Sequence, residues 1–234
     1  HDVEEKAQGE IVTEADKASE GIILGILRKE FPQYAILSEE SGSSGNGGMM
    51  WVVDPLDGTT NYSIRNPFFN VSIGLASKAE QGWEMVSGVV YAPFTGEVFF
   101  AEKGEGSFLN GDHIQVSEEE LSKALVTYCH GSTNEQVSRT VKMFSTLKPL
   151  CRDFSRMRAG ALELAFVAAG RTGAHISPGG KPWDSAAGSL LVQEAGGIVT
   201  DFTGQAWSPE GMERDILATN KVVHEKILEK IKEI

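Results

Sequence analysis

The alternation of apolar and polar positions divides this chain into short elements whose period switches between helix and strand. Residues Lys17 to Phe31 carry Ile22, Ile23, Ile26 and Leu27 at helical spacing, and Pro32 is the stop. "YAILSEE" is a short apolar strand that runs into Glu39 and Glu40. "MMWVVD" is a second buried strand, closing at Asp54. Between them, Ser41–Gly48 ("SGSSGNGG") reads as a flexible loop by composition, either a flap beside a site or a plain linker. "FFNVSIGLAS", "MVSGVVYAP" and "GEVFFAEKG" read as strands, and "FLNGDHIQV" carries the Asn-Gly hairpin signal. "SEEELSKAL" opens with a capping-box pattern, Ser117 to Glu120, which predicts a helix start. "EQVSRTVKMFSTL" is helical. "GALELAFVAAG" is almost wholly apolar and so a buried helix, ending at Gly170. "DSAAGSLLVQEAGG" is a further helix stopped by Gly196-Gly197, "IVTDFTG" a strand, and "NKVVHEKILEKIKEI" a terminal amphipathic helix capped by Asn220. Strands in runs followed by alternating helix and strand predict α/β structure in layers (α+β layered) rather than a simple doubly wound sheet. No internal repeat is visible.

The 234 residues suffice for one large domain or two small lobes with a substantial core, and we expect a single domain over 1–234. The first residue is His1 rather than methionine, so a fragment is expected, with room for a missing N-terminal helix. No apolar run approaches the ~20 residues of a bilayer span and no signal peptide is visible, so no membrane partner and a cytoplasmic location are expected. The net charge of −12 argues against a nucleic acid polymer as partner. Cys129 and Cys151 have no metal-type spacing and read as buried thiols, and the five histidines form no cluster.

The chemistry concentrates in "WVVDPLDGTTNY", Trp51 to Tyr62. Asp54 and Asp57 follow a buried strand, and buried carboxylates are costly unless paired or bound to a cation. Gly58-Thr59-Thr60 reads as a helix start, whose backbone N–H groups favour an anion such as phosphate. Carboxylates suit a hard cation such as Mg²⁺, which takes a few of them together with water and substrate oxygens. The plain alternative is an Asp-rich turn with an Asx cap. The D-x-D-G-T of phosphatases that form an aspartyl-phosphate spaces its carboxylates two apart; here they are three apart, which re-aims both side chains. Taken singly, Glu39 and Glu40 read as surface charges, Asp184 in "KPWDSAAG" as an N-cap, and Thr13 with Asp16 as a capping box.

Together, "SEE" (Ser38–Glu40), "WVVDPLDGTTNY", "PWDSAAGSLLVQEAGG" and "IVTEAD" resemble the motifs of the inositol monophosphatase family, the lithium-sensitive, magnesium-dependent phosphatases, in family order over nearly the whole chain. The resemblance implies an αβαβα sandwich and a common homodimeric state. It implies two or three Mg²⁺ ions held by Glu39, Asp54, the Leu56 carbonyl, Asp57 and Asp184. Glu40 would order a water near a further ion. Gly58 and Thr59 would hold the phosphate, with Gly160 and Asp184 touching substrate. Glu39 and the Thr59–Asp16 pair would position the attacking water, and Lys6 lies near a family lysine close to the phosphate. The implied substrate is a small phosphorylated polyol or sugar, inositol 1-phosphate by default. Fructose 1,6-bisphosphate, histidinol phosphate and 3′-phosphoadenosine 5′-phosphate are alternatives, and a non-catalytic phosphate-ester binding module is a further one. "RMRAGALEL" departs from the family: Arg158 and Ala159 stand where Gly and Ser/Thr are usual. Ser177 and Lys181 stand in the stretch where animal inositol enzymes carry an acidic residue. Arg156, Arg158 and Lys181 keep bisphosphates among the expected substrates.

Overall fold

The computed structural model describes residues 3–5, 11–80 and 82–234. The elements in chain order are β1 (Val3–Glu5), β2 (Ile11–Thr13), α1 (Glu14–Glu30), β3 (Ala35–Ser38), β4 (Gly42–Ser44), β5 (Met49–Asp57), α2 (Thr59–Ser63), β6 (Asn70–Ala79), β7 (Gly82–Ala92), β8 (Glu97–Glu102), β9 (Gly106–Leu109) and β10 (Asp112–His113). There follow β11 (Leu125–Tyr128), α3 (Asn134–Leu147), β12 (Asp153–Ser155), α4 (Gly160–Ala168), β13 (Ala174–Gly180), α5 (Pro182–Glu194), β14 (Ile198–Thr200), β15 (Arg214–Thr219) and α6 (His224–Lys232). A large sheet runs β10-β9-β8-β7-β6-β5-β3-β4, and a smaller one β12-β11-β13-β15-β14.

Three apolar clusters fix the layer order. Leu24 and Leu27 of α1 pack with Ile36 and Val53 on one face of the large sheet. On the opposite face α4 and α5 fill the space between the sheets with Leu162, Leu164, Leu190 and Leu191. Met143 and Leu147 of α3 and Ile227 and Leu228 of α6 cover the far side of the smaller sheet. The result is an α–β–α–β–α stack. Small residues let α5 lie flat on the strands: a Cβ at Gly88 of β7 would come within 2.9 Å of the Ala187 Cα, and one at Gly188 within 2.5 Å of the Leu164 Cβ. The "SAAG" run is thus a packing device, because cores at this density leave no slack for a methyl group.

Several elements differ from expectation. The first helix starts at Glu14, three residues before Lys17, because Thr13 and Asp16 close a reciprocal capping box. The Ser41–Gly48 loop contains β4, paired antiparallel to β3, and Glu20 accepts from the Ser41 N–H and hydroxyl. Asp54 does not close its strand: β5 continues to Asp57 through a register shift against β6. The Ser117–Glu120 capping box does not form. The Ser117 hydroxyl accepts from Asn220 Nδ2 at 3.0 Å instead, and only a short 3₁₀ turn, Leu121–Lys123, follows. Asp184 is not an N-cap, since Pro182 opens α5 and Lys181 caps it. Asn220 caps the turn that leads into α6, accepting from the N–H groups of Val222 and Val223. The Asn110-Gly111 hairpin turn forms as expected, with φ of 51° and 89°.

Candidate functional site

A cavity of about 500 Å³ opens at the β5–α2 junction. It is lined by Glu39 and Glu40 after β3, Asp54, Leu56 and Asp57 of β5, Gly58 to Thr60, and Asp184 with Trp183 of α5. Arg156, Arg158 and Gly160 before and at the start of α4, with Cys129 and Lys181, complete the wall. Five segments distant in sequence therefore meet at one concavity of ordinary small-molecule size. Lys6 lies outside the described residues.

The register shift in β5 aims the two aspartates. Asp54 Oδ1 accepts from the Leu56 N–H at 3.0 Å, an Asx turn that bends the strand. The Pro55 carbonyl inside the bend accepts from Ser19 Oγ of α1 at 2.7 Å. Asp57 reaches across to α4: its oxygens accept from the N–H groups of Gly160 (3.2 Å) and Ala161 (2.8 Å) and from Asn70 Nδ2 (2.7 Å). It thus satisfies amides left open at that helix start. Gly58 follows at φ 92°, where a Cβ would meet the Phe68 carbonyl at 3.1 Å and Ala159 Cβ at 3.2 Å, so glycine is required. Gly160 is different: a Cβ there would find only ordinary contacts, 3.8 Å to Asp184 Cβ and to Cys129 Sγ.

Asp16 is not in the cavity wall but is bonded to it. Its Oδ1 accepts from Thr59 Oγ1 at 3.0 Å, while Oδ2 accepts the Thr13 N–H and hydroxyl at 2.8 and 2.6 Å. Thr59 Oγ1 also lies 3.1 Å from the Leu56 carbonyl. The hydroxyl proton is therefore held inward, and the oxygen's remaining lone pair is directed elsewhere.

The electrostatics of the wall are those of crowded carboxylates. Burial drives the Asp54 carboxyl well above its ordinary range, and Glu39, Asp57 and Asp184 each push it further. Burial likewise raises Asp57 from 3.8 to about 6, against the opposing hydrogen bonds from Asn70 and Ala161. Burial raises the Cys129 thiol too, with Glu163, Asp184 and Asp57 adding to it, so this cysteine is a half-buried cavity thiol rather than one in wholly apolar surroundings. Among the described residues, no three His, Cys, Asp or Glu side chains are gathered tightly enough to hold a metal ion as they stand. The donor set nevertheless fits Mg²⁺: the acidic donors are hard oxygens, they repel one another, and Mg²⁺ takes one or two carboxylates at a time with water and substrate oxygens completing the shell.

Residues the motifs did not assign hold the site together. Asn61 Nδ2 donates to the Phe68 and Met157 carbonyls at 2.6 and 2.8 Å. Glu163, fully buried in α4, accepts through Oε1 from the N–H groups of Met157 (3.2 Å) and Ala159 (3.3 Å). Its Oε2 lies 3.3 Å from His175 Nδ1. The signals were present: a single carboxylate in an otherwise apolar helix, and an asparagine directly after the Gly-Thr-Thr turn, buried in α2.

The layered α/β fold with an acidic cavity at a strand–glycine–hydroxyl turn defines a structural class, and comparison with known proteins narrows it. The sequence matches the Inositol monophosphatase family across residues 1–234, and the chain belongs to that family. It is 42% identical over 204 residues to the Nus factor SuhB of Escherichia coli K12, covering 86% of this chain and 75% of that protein. It is 35% identical over 225 residues to the fructose-1,6-bisphosphatase/inositol-1-monophosphatase of Thermotoga maritima, covering 96% and 84%. The crystal structure of extragenic suppressor protein suhB from Bartonella henselae superposes with a TM-score of 0.91 at 35% identity, covering 99% of this chain and 88% of that one.

Proposed function

We propose that this protein is a Mg²⁺-dependent phosphomonoesterase acting on a small polyol or sugar phosphate by direct water attack. The observation that carries the reading is the meeting of Glu39, Asp54, Asp57 and Asp184 in one cavity beside Gly58 and Thr59. Glu39, Asp54, the Leu56 carbonyl, Asp57 and Asp184 would hold the ions, and Glu40 would order a nearby water. When bound, Mg²⁺ supplies Lewis acidity toward the ester phosphate and the attacking water.

The chain's own groups do the positioning. The N–H groups of Gly58 and Thr59 grip the phosphate oxygens, as first-turn amides without helical acceptors do. Thr59 Oγ1 donates its proton to Asp16 Oδ1 across 3.0 Å, so Oγ1 accepts from the attacking water and aligns it. Glu39 takes the proton that the water releases. Gly160 and Asp184 border the alcohol. An aspartyl-phosphate is not required: Asp54 is 1% exposed and one of its oxygens is engaged by Leu56.

The test is a panel of inositol 1-phosphate, fructose 1,6-bisphosphate, histidinol phosphate and 3′-phosphoadenosine 5′-phosphate, with and without Mg²⁺. We expect turnover that needs the metal. Absence of turnover of every phosphomonoester at saturating Mg²⁺ overturns the reading. A second reading, a phosphate-ester binding module without turnover, is favoured by the 42% identity to a protein named as a Nus factor. Calorimetric binding of these esters without hydrolysis would support it.

A further inference from the structure

The three cavity cations are not in the same state. Lys181 Nζ donates to Glu213 at 2.7 Å, so its charge is spent on the rim. The guanidiniums of Arg156 and Arg158 form no hydrogen bond or ion pair among the described residues, although those of Arg139, Arg171 and Arg214 each have a carboxylate within 3.5 Å. Arg156 is half-buried, and its Nε is shut from solvent without an acceptor. An unsatisfied buried cationic donor is costly: burial pushes the Arg156 pKa down and the neighbouring Arg158 adds to this, against the opposing pull of the Cys129, Glu163 and Tyr128 side chains.

The segment that carries them is held rigidly. Its carbonyls accept from Asn61, and its N–H groups at Met157 and Ala159 donate to Glu163. Arg158 is kept at φ 68°, a left-handed conformation unfavourable for a non-glycine residue. Such strain persists where the surroundings over-determine it, typically at ligand sites. The Arg158 carbonyl and Ala159 Cβ lie 3.3 and 3.2 Å from where a Gly58 Cβ would stand, so the arginine loop abuts the turn assigned to the ester phosphate. Two guanidiniums from residues i and i+2 thus line the wall past that turn, and Arg is the side chain best shaped for bidentate phosphate contacts.

We propose that Arg156 and Arg158 form an anion clamp on the alcohol side of the cavity, so that a polyol or sugar bisphosphate is preferred over a monophosphate. The clamp rests on the phosphomonoesterase reading. It would grip the phosphate that is not cleaved, while the turn at Gly58 holds the one that is.

The experiment compares kcat/KM for fructose 1,6-bisphosphate, inositol 1,4-bisphosphate and 3′-phosphoadenosine 5′-phosphate with that for inositol 1-phosphate, at fixed Mg²⁺ and ionic strength. The proteins are wild type, Arg158→Gly, Arg158→Lys and Arg156→Gln. Arg158→Gly removes the guanidinium and the backbone strain together, so its thermal midpoint should not fall. Wild type should favour at least one bisphosphate. That ratio should drop about tenfold or more in Arg158→Gly and Arg156→Gln, the loss of one charge-assisted contact, and Arg158→Lys should keep most of it. If wild type cleaves the monophosphate as well as every bisphosphate, the clamp is wrong and the phosphatase reading stands. Equal losses on both substrate types would place the arginines on the cleaved phosphate and likewise overturn the clamp. A wild type inactive on all four compounds overturns both proposals. Should Arg158→Gly not fold, Arg156→Gln carries the same comparison.

Discussion

Asp57 offers a quantitative test of the acidic cavity, because it joins a candidate cation site to a helix start. In the metal-free protein burial raises its carboxyl from 3.8 to about 6. The folded pKa lies above the unfolded one, so between these values the folded state holds a proton that the unfolded chain has released. Stability therefore declines as pH rises through that window. At ~1.4 kcal/mol per pH unit the whole effect is roughly 3 kcal/mol, of which about 2 kcal/mol falls between pH 4.5 and about 6. Asp57→Asn cannot ionise and should lose this slope. It also carries a pH-independent cost, because an amide NH₂ would face donors at Ala161 or Asn70. The measurement is urea unfolding in EDTA at pH 4.5, 6.0 and 7.5, read as the difference in slope between wild type and variant. Asp54, raised in the same direction, leaves some slope in the variant. Mg²⁺ at pH 7.5 should recover stability in wild type, since a cation replaces the missing proton. Parallel pH profiles for the two proteins would show that Asp57 is not the crowded group we describe.

The remaining predictions are structural and catalytic. Asp54→Asn should lower Mg²⁺-supported kcat by at least ~10²-fold while the far-ultraviolet dichroism stays native, because it removes charge where the ion and its ester would sit; near-wild-type kcat would refute this. Gly58→Ala should cost ~1–3 kcal/mol in urea unfolding, since φ 92° and contacts of 3.1–3.3 Å leave a Cβ no room. Gly88→Ala should cost a similar ~1–3 kcal/mol without changing KM, because its Cβ would press on the α5 backbone at 2.9 Å, away from the cavity.

The stretch of cavity wall from Asp54 to Thr60 was legible because its residues are local in sequence. Asp54, Asp57, Gly58 and Thr59 fall within twelve residues, and the only surprise there was that β5 runs on through a bulge to Asp57. The layered fold was legible from element order. The strands β11, β12, β13 and β15 were not, for a physical reason. β11 and β12 are short, and the buried polar residues Thr127 of β11 and His175 and Ser177 of β13 interrupt the apolar pattern, so no period of two emerges there. The failed Ser117–Glu120 helix makes the same point from the other side. A capping box is a local bid for one hydroxyl, and Asn220, 103 positions away, takes it.

The state of the arginine segment was illegible for a related reason, and its construction ties it to the acidic wall of the cavity. Arg156 and Arg158 are visible in the sequence, but their lack of partners and the strain at φ 68° follow from contacts made by Asn61 and Glu163. Asp57 closes the loop of dependence: its oxygens hold the N–H groups of Gly160 and Ala161, at the end of the same segment. One carboxylate is therefore both a candidate cation ligand and the anchor of the loop that carries the two arginines. Changing Asp57 should disturb both cation affinity and substrate choice, whereas Arg158→Gly should disturb choice alone, because the backbone bonds to Asn61 and Glu163 survive it. Cation binding that weakens as much in Arg158→Gly as in Asp57→Asn would mean that the loop and the carboxylates are not separable parts.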